Sequence, residues 1–184
     1  MAACPVSARF APVKKTDDLL AVLDGAEADL RMVISLDAGV ELTRMMEEPD
    51  GVLEGNRLIH QLTHRAPHRL YGSCTINPHF LDASLRAMDV CFGQWGFVQL
   101  GEMLQYIMRY EMNSDAVEKL VRHAMGFGVP VQVHVSTSNA CQDLSCNGIM
   151  HLTDLMELID RVPEAHYILA HAIGTQADNP PVIE

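Results

Sequence analysis

The stretch Pro130-Val-Gln-Val-His-Val135 decides the fold, because it shows both a strand pattern and a clear boundary. It is short and rich in valine, as buried strands are. Before it lies a segment with apolar residues at helical spacing, from Val117 to Ala124, which follows a candidate capping residue, Ser114. Gly126 and Gly128 then end the helical pattern. A helix that is followed by a buried strand is the repeating unit of an α/β protein.

The same unit recurs along the chain. Four other short apolar runs are predicted to be strands, at residues 32–36, 70–76, 96–100 and 167–171. Segments with helical periodicity lie before and between them, starting near Thr16, at about 56–66, around Leu81 to Met88, and around Leu152 to Ile159. Because helices and strands alternate, the sequence predicts a parallel sheet covered by helices.

The spacing of the strands indicates the kind of sheet. Their starting points lie about 34 residues apart on average, close to the roughly 31 residues per unit of a (β/α)8 barrel. A doubly wound open sheet is the alternative, but neither a G-x-G-x-x-G nor a Walker A motif follows any predicted strand. We predict one domain over residues 1–184 with an incomplete TIM-barrel-like α/β fold of about five sequential parallel β/α units.

The composition excludes several classes of protein. The chain has 184 residues, 48% of them apolar, and a formal net charge of −11, which argues against a nucleic-acid surface. No uncharged apolar run reaches the ~18–20 residues of a membrane-spanning helix, and residues 1–12 lack the apolar core of a secretory signal. Five cysteines without a C-x-x-C pair favour reduced thiols, so we expect a cytoplasmic protein.

An incomplete barrel has consequences for assembly. It leaves two unpaired sheet edges and an uncovered apolar face, which a lone monomer tolerates poorly. We therefore expect a homo-oligomer or a partner chain that covers the open barrel.

Three polar residues lie at or next to the carboxyl ends of consecutive predicted strands: Glu102, His134 and His171. Sites form at that edge of a parallel sheet or barrel. One carboxylate and two imidazoles can bind a single zinc ion or another first-row divalent metal, which then activates water or polarises a carbonyl. A buried histidine that is only hydrogen-bonded is the simpler alternative for each residue.

Two other groups could bind metal. His60 and His64 share one helix face, with His68 four residues further on, but Gln61 stands where a metalloprotease helix carries its Glu. These histidines fit the solvated side of an outer helix. Cys141 and Cys146 lie in a polar loop and fit free surface thiols.

Four pieces of the sequence carry a family resemblance, and they are Leu70-Tyr-Gly-Ser-Cys-Thr-Ile-Asn-Pro78, Trp95-Gly-Phe-Val-Gln-Leu-Gly-Glu102, Gly128-Val-Pro-Val-Gln-Val-His134 and Ala165-His-Tyr-Ile-Leu-Ala-His171. Together they resemble the amidohydrolase-related TIM-barrel family, which includes metal-dependent aromatic-acid decarboxylases. The resemblance runs from about residue 16 to residue 174, and the last two pieces are the more specific.

The resemblance implies roles for individual residues. His134 and His171 correspond to histidines that end the family's fifth and sixth strands and serve its metal site and catalysis. Leu100-Gly-Glu102 is similar to the fourth strand of related metal-dependent deoxyribonucleases, where a Glu is a ligand. The family also has a His-x-His on its first strand and a late Asp on its eighth, and this sequence contains no counterpart of either.

Three functions remain open on this basis. The first is a metal-dependent hydrolase that acts on a small carboxylated or amide-bearing substrate through metal-activated water. The second is a decarboxylase on the same scaffold. The third is a truncated, non-catalytic interaction module, since the sequence resembles strands two to six of an eight-stranded barrel.

Overall fold

Five parallel strands form one curved sheet in the computed structural model, which describes residues 21, 24, 25, 31–36, 40–135 and 148–171. The strands are β1 (Met32–Ile34), β2 (Leu70–Cys74), β3 (Gln99–Met103), β4 (Val131–His134) and β5 (Tyr167–Ala170). Each strand pairs with the next one along the chain, in the order β1-β2-β3-β4-β5. The predicted half-barrel of five sequential parallel β/α units is therefore confirmed.

Helices connect the strands. They are α1 (Val40–Glu47), α2 (Pro49–Thr63), α3 (Leu81–Gly93), the short α4 (Gln105–Met108), α5 (Asp115–Gly126) and α6 (Gly148–Arg161), and a 3₁₀ turn at Pro78–Phe80 precedes α3. The core lies between these helices and one side of the sheet. Val131, Val133 and Val135 all point into it and are fully buried, so the helix-facing side of β4 is the one that the valine alternation predicts.

The helix around Ser114 forms as the sequence predicts. The Ser114 hydroxyl accepts a hydrogen bond from the Val117 amide at the start of α5. Such a cap satisfies a backbone donor that the first helical turn leaves unpaired. Val117, Leu120 and Val121 then face the core with no exposed area. α5 therefore covers the sheet through one apolar stripe, as amphipathic helices do.

Three element predictions differ from the structure. α2 begins at Pro49 rather than near residue 56, and α1 and α4 were not predicted. Gly51 lowers the helix propensity of the first half of α2. A Cβ at that position would lie 2.4 Å from the Arg44 carbonyl oxygen, so the glycine allows α1 and α2 to pack closely. Most of the helix predicted near Thr16 lies outside the described residues, but Ala21 and Asp24 in that segment are helical.

β3 also begins later than predicted, at Gln99 rather than Gly96. Gly96 has φ +67°, and the Phe97 amide donates to the carbonyl of Cys91 in α3 at 2.9 Å. Gly96 and Phe97 therefore belong to the connection between α3 and β3 and not to the strand itself. The shift places Glu102 inside β3 rather than after it.

The sheet has two free edges among the described residues. Val33 on β1 is 43% exposed and Ile168 on β5 is 40% exposed. None of the described helices combines the length and the apolar character needed to cross a membrane.

Candidate metal centre

The carboxyl ends of β3, β4 and β5 bring three predicted site residues together. Glu102 lies near the end of β3, His134 ends β4, and His171 directly follows β5. Glu102 Oε1 is 2.7 Å from His134 Nδ1 and 3.1 Å from His171 Nε2. One potential ligand atom from each residue lies within 4.8 Å of the other two. Parallel strands in sequential order explain this, because their ends meet at one edge of the sheet.

A break in the strand alternation turns Glu102 toward the histidines. Leu100 pairs with Val131 and Met103 pairs with Val133, so the register shifts between them. Leu100 and Met103 are both buried. The simple alternation predicted from the sequence groups Glu102 with Leu100, and the shift releases it to the His134 side.

Gly101 makes that break possible. Its φ is +111°, a conformation that L side chains rarely adopt. A Cβ there would lie 2.2 Å from the Gln132 carbonyl oxygen and 2.9 Å from the Met103 nitrogen. Only glycine fits between the two strands at this point. Gly101 thus allows the carboxylate of Glu102 to point toward the end of β4.

His134 is held on several sides. Besides the contact with Glu102, its backbone carbonyl accepts a 2.7 Å hydrogen bond from Gln105 Nε2 at the start of α4. The Tyr106 ring lies 4.4 Å from the imidazole, centroid to centroid. The other ring nitrogen, His134 Nε2, is buried and has no hydrogen-bond partner among the described residues. Buried polar atoms are rarely left in this state.

His171 is the open side of the group. Its side chain is 52% exposed, against 18% for Glu102. Its φ is +64°, which is uncommon for a residue other than glycine. Strained backbone of this kind is concentrated at functional sites, where the surrounding structure holds it in place. Here the left-handed backbone of His171 accompanies the 3.1 Å contact between its Nε2 and Glu102 Oε1.

The electrostatics keep Glu102 ionised. Burial alone would raise the pKa of this carboxyl group, but hydrogen bonds and charge interactions with His134 and His171 outweigh burial, so that the pKa is lowered. A carboxylate that contacts two imidazoles is a donor set suited to zinc and several other first-row metals. The unpartnered nitrogen of His134 offers a further lone pair. The residues present therefore fit a divalent metal.

Sequence reasoning missed part of the surroundings. Gln105, Tyr106 and His151 all lie near His134, and the His151 ring is buried with its centroid 6.5 Å from that of His134. Gln105 and Tyr106 follow β3 at the same sheet edge as Glu102, a position that could have indicated them. His151 lies within the periodic segment of α6, where nothing in the sequence distinguishes it.

The structure places the alternative groups elsewhere. His64 is exposed as expected, but His60 is half-buried and stacks on Trp95, with ring centroids 4.5 Å apart and planes 9° apart. The prediction of a solvated face is therefore wrong for His60. Burial lowers the pKa of His60, and the charges of His64 and Arg57 lower it further. Cys141 and Cys146 lie outside the described residues.

Comparison with known proteins supports the fold. No family model matches the chain, and no curated protein matches its sequence. Among solved structures, 5-carboxyvanillate decarboxylase of Sphingomonas paucimobilis is similar over 82% of this chain, with a TM-score of 0.61 and 19% identity. A 2,6-dihydroxybenzoate decarboxylase of Rhizobium is similar over 84%, with a TM-score of 0.62 and 17% identity. A candidate amidohydrolase of Staphylococcus aureus is similar over 83%, with a TM-score of 0.61 and 15% identity.

The chain spans only about half the length of these proteins, namely 49%, 55% and 58% of their respective chains. They are TIM-barrel enzymes of the amidohydrolase superfamily. At these identities the likeness concerns architecture. The predicted resemblance is therefore confirmed at the level of the fold: the chain has the architecture of about half of the barrel found in amidohydrolase-superfamily enzymes.

Proposed function

We propose that this chain carries a metal centre of the amidohydrolase type and acts on a small-molecule substrate. Glu102, His134 and His171 are its ligands, and zinc is the metal we assign, because imidazole and carboxylate are among its usual protein ligands. The main support for this proposal is the contact of a single carboxylate oxygen, Glu102 Oε1, with both imidazoles, at 2.7 Å and 3.1 Å. Three ligand residues leave room for water or substrate to complete the shell.

Each residue has a distinct task in this proposal. A divalent metal bound here would supply an activated water or a polarised carbonyl. Glu102 balances the positive charge, and the Gln105 amide fixes the end of β4 through the carbonyl of His134. His171 is the residue that solvent reaches most easily, and its Nε2 faces Glu102. Its Nδ1 is therefore the atom we assign to exchange a proton with the substrate. His134 is assigned as the second catalytic histidine on the family resemblance, through its place at the metal.

Two chemistries share this geometry. The first is hydrolysis of a small carboxylated or amide-bearing molecule by metal-activated water. The second is decarboxylation of an aromatic acid, and it is favoured by the similarity to two decarboxylases of aromatic acids. A non-catalytic interaction module is the third candidate, since the chain spans about half of the similar enzymes.

Zinc titration tests the centre. We expect the wild-type chain to bind one equivalent at these residues, and His134→Ala and His171→Ala to weaken that binding about 100-fold or more, because even indirect ligand partners change affinity 10–100-fold. Glu102→Gln keeps the shape but removes the charge, and should weaken binding as well. His166→Ala removes an exposed histidine just before β5 and serves as the control. Equal zinc affinity in all five proteins would eliminate the proposed centre.

A second assay separates the chemistries. The zinc-loaded protein is incubated with 2,6-dihydroxybenzoate and 5-carboxyvanillate, and separately with a panel of small amides. Release of CO₂ that His171→Ala abolishes supports decarboxylation, and amide cleavage with the same dependence supports hydrolysis. Tight zinc binding without any turnover supports the non-catalytic module.

A homo-oligomer or partner chain over the open edges stays a prediction, which light scattering checks.

A further inference from the structure

A second group of imidazoles lies away from the candidate metal centre. His60, near the end of α2, and His64, just after it, are one helical turn apart, with ring centroids 4.3 Å apart and planes at 80°. Trp95 covers the other side of His60 as a parallel stack. Residues four apart on a helix face the same way, so both imidazoles are available to a single small ligand.

The hydrogen bonding of the pair leaves ring nitrogens available. His64 Nδ1 lies 2.8 Å from the backbone carbonyl oxygen of His60, so it donates its hydrogen there. This fixes the tautomer of His64 and leaves the lone pair on Nε2. Histidine ligands of metals commonly donate their other ring N–H to a backbone carbonyl in this way. His60 makes no ring hydrogen bond with any described residue; its Nδ1 is buried, so Nε2 is the nitrogen that an ion from solvent would reach.

We propose that His60 and His64 form a second transition-metal site, selective for imidazole-preferring ions such as Cu²⁺ and Ni²⁺. Imidazole suits copper, nickel and zinc, and affinity in this series is greatest for Cu²⁺. Two protein ligands leave the other positions to water, so binding is weaker than at a three- or four-ligand site. Trp95 restricts the motion of the His60 ring, which lowers the entropy that metal binding must overcome.

The charges around the pair limit the affinity without preventing binding. The Arg57 guanidinium lies 5.6 Å from the centre of the Trp95 ring, and its positive charge opposes a cation. Glu54 neutralises it in part, through an ion pair with 3.2 Å between Arg57 Nε and a carboxylate oxygen. Removing the positive charge should therefore tighten metal binding, while removing either imidazole should weaken it.

The two sites lie at opposite ends of the sheet. Trp95 precedes β3 and Glu102 lies near its carboxyl end. At about 3.3 Å per strand residue, Glu102 lies about 10 Å beyond Gln99, and Trp95 lies before the other end of β3. Trp95 is the single tryptophan of the chain. Its fluorescence therefore reports on the His60 and His64 pair and hardly at all on Glu102 and the strand-end histidines.

The test is a Cu²⁺ titration followed by the fluorescence of Trp95. We expect saturable quenching in the wild type, a loss of apparent affinity of at least tenfold in His64→Ala, and tighter binding in Arg57→Gln. The exposed side chain of His64 makes that variant safe for folding. His166→Ala should leave the quenching curve unchanged, and in His134→Ala the quenching should persist. Quenching that persists unchanged in His64→Ala, or that disappears in His134→Ala, would overturn the proposal.

A second measurement removes the dependence on tryptophan. In a calorimetric titration with Ni²⁺, His64→Ala should lose one class of binding site, and His134→Ala should retain that class. The same number of sites in wild type and His64→Ala contradicts the second site. Because the strand-end variants serve as controls here, failure of this proposal is distinguishable from failure of the proposed function.

Discussion

Replacing Gly101 by alanine should disturb both the stability of the sheet and the position of Glu102. The new Cβ would lie 2.2 Å from the Gln132 carbonyl oxygen, a backbone atom that cannot move without shifting β4. A residue other than glycine at φ +111° adds strain of about 1–3 kcal/mol. The overlap with backbone adds to that figure, so we expect Gly101→Ala to lower the free energy of unfolding by about 3 kcal/mol or more.

Thermal unfolding and zinc titration measure the two effects. In a chain of this size a loss of 3 kcal/mol corresponds to a fall in Tm of about 6–12 °C. Zinc affinity at the candidate centre should fall with it, because Glu102 follows directly after the distorted residue. Zinc affinity should also be reduced at temperatures well below Tm, where the variant is folded.

Gly126→Ala is the matched control. Gly126 is the last residue of α5, has no positive φ, and has open space where a Cβ would lie. Alanine there should raise stability by about 0.5–1 kcal/mol, because it reduces the freedom of the unfolded chain. If Gly101→Ala unfolds at the wild-type temperature and binds zinc as tightly, the reasoning about the register break at Glu102 is refuted.

Three further predictions concern the rest of the fold. Asn56→Ala should lower the free energy of unfolding by about 2–4 kcal/mol in urea denaturation, because the buried Asn56 amide bonds both the Thr75 amide and its carbonyl, at 2.9 Å and 2.7 Å. Ser114→Ala should lose about 1 kcal/mol with its helix cap, measured in the same way. Burial and the charge of Glu157 raise the pKa of Asp154, so its ionisation opposes folding once the pH rises through that pKa. Asp154→Asn should therefore stabilise the protein at pH 7 by up to about 0.5 kcal/mol and have no effect near pH 3, as followed by Tm.

The sequence predicts the elements whose signals agree with one another. α5 has a capping serine, an apolar stripe and a glycine end, and the structure places it within a residue or two of the expectation. β4 and β5 are equally well defined by their valine and aliphatic runs. β3 begins later than predicted because Phe97 is apolar for another reason: its amide bonds the carbonyl of Cys91 in α3 and its ring lies against Gly72.

The candidate metal centre could also be predicted from the sequence only in part. The chain positions of His134 and His171 follow from the two strands, so their proximity could be anticipated. The orientation of Glu102 could not, since it depends on a register break that alternation rules do not describe. The stacking of His60 on Trp95 was equally invisible, because the two residues are brought together by the packing of α2 beside the segment before β3.

The sequential strand order also bears on how the protein folds. Every strand pairs with a neighbour from the adjoining β/α unit, so each step closes a loop of only one unit and none waits for a distant part of the chain. Synthesis from the amino terminus would then extend the sheet one strand at a time. Glu102 and His134 would meet first, and His171 would join only when the fifth strand docks. The three-residue group would therefore be complete only when all five described strands have formed.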